Sequence, residues 1–199
     1  SKGMSEVAIA HEKSVAFRTT IGFWLYLMTD CILFASLFAT FAVLRSATAD
    51  GPSASQIFDL PLVLIETIIL LSSSLACGLA LIALKKKNMK LLLSWLGATF
   101  IMGAAFLTME LSEFAKLVGE GHSWQQSAFL SSFFTLVGTH GLHILIGLIW
   151  LVVMVVVLLR RGFNEKTTRQ LTLFGLFWHF LDLVWIFIFT IVYMIGVSI

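Results

Sequence analysis

Cysteine, proline and formal charge are all scarce in this 199-residue chain, and each scarcity excludes something. The two cysteines, Cys31 and Cys77, fall inside apolar stretches and show no zinc or disulfide spacing, so they read as small buried hydrophobes. The two prolines lie at or outside the ends of apolar runs, which leaves no helix broken in mid-run by proline. Charged residues make up 12%, about half the roughly 25% that a soluble domain carries. A soluble globule, a disordered chain and a nucleic-acid-binding protein are thereby excluded. Residues 1–20 are polar and lack the apolar core and cleavage site of a signal peptide. The first apolar run is too long for one and is expected to stay as an anchor.

What is present is apolar sequence: 59% hydrophobic residues, with a mean hydropathy of +0.98. A spanning helix needs about 20 mostly apolar residues, because each adds about 1.5 Å across a core of about 30 Å. Five stretches qualify: Ile21–Leu44, Leu60–Leu84, Leu91–Glu113, Ala128–Leu159 and Leu171–Ile199. Between them lie a turn-rich loop at Ser46–Asp59, a lysine hairpin at Lys85–Lys90, a polar loop at Lys116–Gln126 and a loop at Arg160–Arg169. Pro61 suits a first helical turn. The predicted fold is all-α: a polar segment over residues 1–20, then a five-helix transmembrane bundle over residues 21–199.

With five crossings, the N-terminus and the second and fourth loops share one side. That side holds eleven of the thirteen Lys and Arg residues. Cytoplasmic loops carry the excess of these residues, which predicts a cytoplasmic N-terminus and a periplasmic C-terminus.

Charged and imidazole groups in hydrocarbon are costly, so the few present are the candidate functional residues. Counted from the ends of the apolar runs, Asp30 lies about 13 Å deep, His179 and Asp182 about 12 to 17 Å, Glu66 about 9 Å, and His140 and His143 about 18 to 23 Å. These depths suggest an outer carboxylate layer with Glu66 and Glu110, and an inner layer with Asp30, His179 and Asp182. Glu110/Glu113, His140/His143 and His179/Asp182 each have the i, i+3 spacing that shares a helix face. Three readings of the residues stay open: structural pairing across helix interfaces, ion translocation, and a metal or haem site. Glu110/Glu113 is a weak ligand pair, since Glu113 reaches interfacial water. Glycines recur at 97, 103, 138, 141 and 147, where small residues let helices approach closely. Trp24, Trp95 and Trp124 suit membrane-interface positions, whereas Trp185 is too deep for one.

Two segments go further. Gly138-Thr139-His140-Gly141-Leu142-His143 with Gly147, and Trp178-His179-Phe180-Leu181-Asp182-Leu183-Val184-Trp185-Ile186-Phe187, resemble the signatures of subunit III of the haem-copper terminal oxidases. Gly22-Phe23-Trp24, Asp30, Phe34 and Phe38 in the first helix, and Met109-Glu110-Leu111-Ser112-Glu113-Phe114 in the third, are similar to that family as well. Many members have seven helices. This chain resembles the five-helix form, typical of bacterial quinol oxidases of the cytochrome bo type, with relatives in some cytochrome c oxidases and beside nitric oxide reductases.

The resemblance implies an accessory subunit of a proton-pumping respiratory oxidase in the bacterial inner membrane. It implies no catalytic residue, cofactor or metal in this chain, and haem and copper in partner subunit I. Implied partners are subunits I, II and a small subunit, together with bound phospholipid. Asp30, Glu66, Glu110, His140, His143, His179 and Asp182 become structural or lipid-contact candidates. A free-standing ion-coupled carrier is the rival from another class. Such carriers often show inverted repeats and broken helices, and neither is visible here.

Overall fold

The structure, a computed structural model, describes residues 2–44, 60–119 and 128–190, and every regular element among them is helical. They form α1 (Lys2–Leu44), α2 (Leu60–Lys85), α3 (Met89–Gly119), α4 (Ala128–Arg161) and α5 (Glu165–Ile188). All five contain a segment long and apolar enough to cross a membrane. The loop at Ser46–Asp59, residues 120–127 with Trp124, and the last nine residues lie outside the described residues.

Two compact units divide the chain, residues 1–35 and residues 36–199. The first is the leading part of α1. This helix begins at Lys2, so the polar lead is helical and continuous with the apolar run that follows. Its Glu6, Ala8, Ala10, Glu12, Lys13 and Ala16 are good helix formers, and no proline interrupts them.

In the second unit α2 packs on α3, α3 on α4, α4 on α5, and α5 returns to α2. The four close a ring, and α5 is its most buried member: Phe174, Phe177, Trp178, Leu181, Val184, Trp185 and Ile188 all point into protein. Opposite faces stay apolar yet exposed, as at Leu64, Leu75, Ile101, Ile149, Val153 and Leu159. In water such surface would aggregate. In a bilayer it meets lipid tails or partner helices.

Two tight turns set the ring. After α2, Lys87 takes a left-handed conformation (φ 55°), and Asn88 N–H donates back to the Ala83 carbonyl at 3.1 Å. Asn88 then caps α3, its side-chain oxygen accepting from Leu91 N–H at 3.2 Å. After α4, Gly162 (φ 68°) closes the helix, and Asn164 accepts from Thr167 N–H at 2.7 Å to start α5. The expected ten-residue loop at Arg160–Arg169 is therefore only three residues outside helix, Gly162 to Asn164. Helix α3 likewise runs to Gly119, beyond the expected boundary at Glu113. Polar residues end the apolar run in each case, but caps and backbone bonding end the helix.

Candidate functional site

The polar groups of α2 and α5 meet in register along an antiparallel interface. Trp185 donates its indole N–H to Thr67 Oγ1 at 3.0 Å, and Trp178 donates to Ser73 Oγ at 2.7 Å. Ser74 Oγ meets His179 Nδ1 at 2.5 Å. The Ser74 hydroxyl also hydrogen-bonds Asp182. An ionised carboxylate only accepts, so with Asp182 charged the serine donates to Asp182 and accepts from His179 Nδ1–H. Serine thus sits between histidine and aspartate. A nucleophilic triad needs the imidazole in the middle to take the hydroxyl proton, so this trio holds helices together rather than activating Ser74.

Trp178 is the hub of the ring. Besides its bond to α2, its indole fills the space left by two glycines: a Cβ on Gly103 of α3 would sit 2.7 Å from the ring, and one on Gly147 of α4 3.0 Å. Phe174, one turn earlier, stacks on it at 5.8 Å. These two glycines are needed for close approach. Gly97 faces open space, so the small-residue reading does not extend to it.

His140 is fully buried, and its Nε2–H donates to the Leu181 carbonyl of α5 at 2.9 Å. Its ring lies 5.3 Å from Trp185 and 5.8 Å edge-on to Phe106. Nδ1 is buried without a partner among the described residues. His143 turns back to its own helix, Nδ1–H donating to the Thr139 carbonyl at 2.7 Å, with Phe177 stacked at 6.4 Å. The three intramembrane histidines therefore address three different partners instead of converging. Asp30 belongs to the first unit, where Tyr26, one turn earlier on α1, hydrogen-bonds it.

The carboxylates do converge. Glu66 of α2 with Glu110 and Glu113 of α3 can place one oxygen each so that all three lie within 4.8 Å of one another. His179 and Asp182 both meet Ser74 and so lie level with the middle of α2. On the lipid side, α3 and α4 leave an apolar groove of about 530 Å³ lined by Leu96, Gly97, Phe100, Leu151, Val155 and Leu159.

Sequence reasoning missed Thr67, Ser73 and Ser74 as partners. The signal was the Ser72-Ser73-Ser74 run inside an otherwise apolar helix. Helical spacing reveals which residues share a face of one helix, but a partner on another helix depends on how both are rotated.

Comparison with known proteins adds the following. The family model for cytochrome c oxidase subunit III matches residues 4–197. A cytochrome bo(3) ubiquinol oxidase subunit 3 of Pseudomonas aeruginosa is 52% identical over 186 residues, covering 94% of this chain and 89% of its own. A cytochrome c oxidase subunit 3 of Bacillus sp. (strain PS3) is 44% identical, covering 88% of this chain and 85% of its own. A quinol oxidase subunit 3 of Bacillus subtilis is 40% identical over 196 residues, covering 98% and 96%.

Proposed function

This chain belongs to the cytochrome c oxidase subunit III family, and from that premise we propose that it is the accessory third subunit of a proton-pumping terminal oxidase that passes electrons from ubiquinol to dioxygen. The observation that carries the choice of donor is the 52% identity to a bo(3) ubiquinol oxidase subunit across nearly the whole chain. Cytochrome c as the donor is the second reading, favoured by the relative from Bacillus sp. (strain PS3).

The chain sits in the bacterial inner membrane with its N-terminal segment, residues 1–20, in the cytoplasm and the five-helix domain following. Haem and copper reside in subunit I. Subunit II and a small subunit complete the complex. This subunit carries no redox centre and contributes durability. Its exposed apolar faces dock on the neighbouring subunit and on lipid, and the α3–α4 groove takes an acyl chain. His140, His179 and Asp182 support this role by fastening helices, since each has a hydrogen-bond partner on another helix, while His143 bonds within α4.

The test is removal. A complex purified without this chain should keep its haem and copper per copy of subunit I and its initial quinol-oxidase rate, while turnover decays faster and bound phospholipid falls. A stoichiometric loss of haem or copper with subunit I still present would sink the accessory role. Oxidation of reduced cytochrome c in place of ubiquinol by the intact complex would select the second reading.

A further inference from the structure

Thr67, Ser73 and Ser74 show how this bundle treats buried polar groups on α2: each has a partner on α5. Glu66 is the exception. It is 0% exposed and Glu110 is 3% exposed, and their four carboxyl oxygens meet only each other and Glu113 among the described residues, with no hydroxyl, amide or cationic donor. Their flanks are apolar, with Val63 and Leu70 one turn either side of Glu66 and Phe106 one turn before Glu110, all buried. Neighbouring helix carbonyls are acceptors too and offer no relief. Ionised together, with Glu113 alongside, two such groups repel by several times thermal energy at this separation in a medium of reduced dielectric. Something positive between them would turn that repulsion into attraction.

The spacing identifies its kind. One oxygen from each residue lies within 4.8 Å of the others, so the point between them is at most about 2.8 Å from each, and a small closing movement brings all three to the 2.3–2.6 Å of a calcium–oxygen bond. Three carboxyl groups offer up to six oxygens, within the range that calcium takes, and no His or Cys joins the cluster among the described residues. Magnesium wants shorter bonds, stricter octahedral geometry and several retained waters, which an apolar pocket between packed helices does not supply. Glu113 is half-buried, one turn from Glu110 toward the Gly119 end of α3, and is the most open of the three carboxyl groups.

We propose that Glu66, Glu110 and Glu113 form a binding site for a hard divalent cation of the calcium class, which ties α2 to α3 near the ends remote from their turn. The site is independent of the electron donor and of whether this subunit supports turnover.

The experiment uses the assembled membrane complex, stripped with a chelator and titrated with calcium or magnesium. Bound metal is read by elemental analysis and stability by thermal unfolding of this subunit. The wild type should take up about one calcium per copy of the chain and unfold at a higher temperature when it does, with a smaller response to magnesium. Glu110→Gln keeps the shape and removes a ligand charge, so calcium should bind it about tenfold or more weakly. In chelator the same variant should unfold at or above the wild-type temperature, because the repulsion is gone. Glu66→Gln and Glu113→Gln should behave alike and replace it should Glu110→Gln fail to assemble. No calcium-dependent shift in the wild type, or an equal shift in the glutamine variants, would overturn the site. So would equal binding of magnesium. An infrared signal of a protonated carboxyl that survives saturating calcium and vanishes in Glu110→Gln would also overturn it, in favour of protons as the occupants.

Discussion

Trp178 and Ser73 lie 105 residues apart in sequence and meet at 2.7 Å, indole N–H to hydroxyl, inside a bundle with little else polar. The bond sets the rotation of α5 against α2, because only one face of each helix carries these groups. Trp178→Phe removes the donor and also empties part of the space against Gly103 and Gly147, so its cost includes a cavity besides the lost bond. Losing one buried hydrogen bond costs about 1–3 kcal/mol when a partner is left unsatisfied. Ser73→Ala should cost a similar amount. The double variant should cost clearly less than the sum, since both changes remove the same bond. Thermal unfolding of the purified complex followed through this subunit measures all three, and strict additivity would mean that the pair contributes nothing jointly.

The same indole makes a second prediction about two glycines on one helix. A methyl group on Gly103 would lie 2.7 Å from Trp178, whereas one on Gly97 would meet nothing within 4 Å. Gly103→Ala must push a large ring that is also pinned by Gly147, and overpacking of this kind costs about 1–3 kcal/mol. Gly97→Ala should be neutral or stabilising by up to about 1 kcal/mol, because alanine is the better helix former. Equal effects at the two positions, read as subunit retention during detergent purification, would contradict the placement of Trp178.

These contrasts show what the sequence could and could not reveal. The number of helices was legible, because lipid demands long apolar runs and the runs are plain. Helix ends were not. Lys2–Thr20, Lys116, Arg160–Arg161 and Glu165–Gln170 lie outside the apolar runs and are still helical. Hydropathy reports where lipid stops, whereas Asn88, Asn164 and Gly162 report where backbone bonding stops. Among site residues, i, i+3 spacing grouped Glu110 with Glu113 and His179 with Asp182. It could not show that Glu66 would face the first pair from α2, or that Ser74 would stand between the members of the second.

Ser74 carries the third prediction. Its hydroxyl serves both His179 and Asp182, so Ser74→Ala takes a partner from the buried Asp182 and the half-buried His179 at once. The cost should exceed that of Ser73→Ala, which orphans only the Trp178 N–H. Thr is the conservative control: Ser74→Thr keeps the hydroxyl and should recover most of the loss. Asp182→Leu removes the acceptor outright, and breaking a buried polar pair can cost about 3–5 kcal/mol. That variant should be depleted from the assembled complex in a quantitative blot. Wild-type abundance of both Ser74→Ala and Asp182→Leu would show that the α2–α5 contact does not depend on this trio.

Orientation gives the fourth. The excess of Lys and Arg on the side of the Lys85–Lys90 turn predicts that this turn lies in the cytoplasm. A reporter active only after export should be active when fused after Ile199 and silent when inserted at Lys86. The reverse at both sites would invert the orientation, and activity at both would break the helix count.

The turn itself supplies the last prediction. Lys87 holds φ at 55°, a left-handed conformation in which a Cβ crowds the neighbouring backbone. For residues other than glycine this costs roughly 1–2 kcal/mol. The conformation persists because three consecutive amides depend on it: Lys86, Lys87 and Asn88 donate back to the Ile82, Leu84 and Ala83 carbonyls at 3.0 to 3.1 Å, closing α2 before Asn88 opens α3. Lys87→Gly should relieve the crowding and stabilise the hairpin by up to about 1 kcal/mol, the glycine's greater freedom in the unfolded chain offsetting part of the gain. Lys87→Val should destabilise it, because a β-branched side chain tolerates positive φ least. Lys85, Lys86 and Lys90 remain in both variants, so the positive charge that orients the loop is reduced equally in each and any difference between them is conformational. Thermal unfolding that ranks glycine above lysine above valine is the expected result. Identical unfolding of the glycine and valine variants would mean that the turn does not hold Lys87 at positive φ.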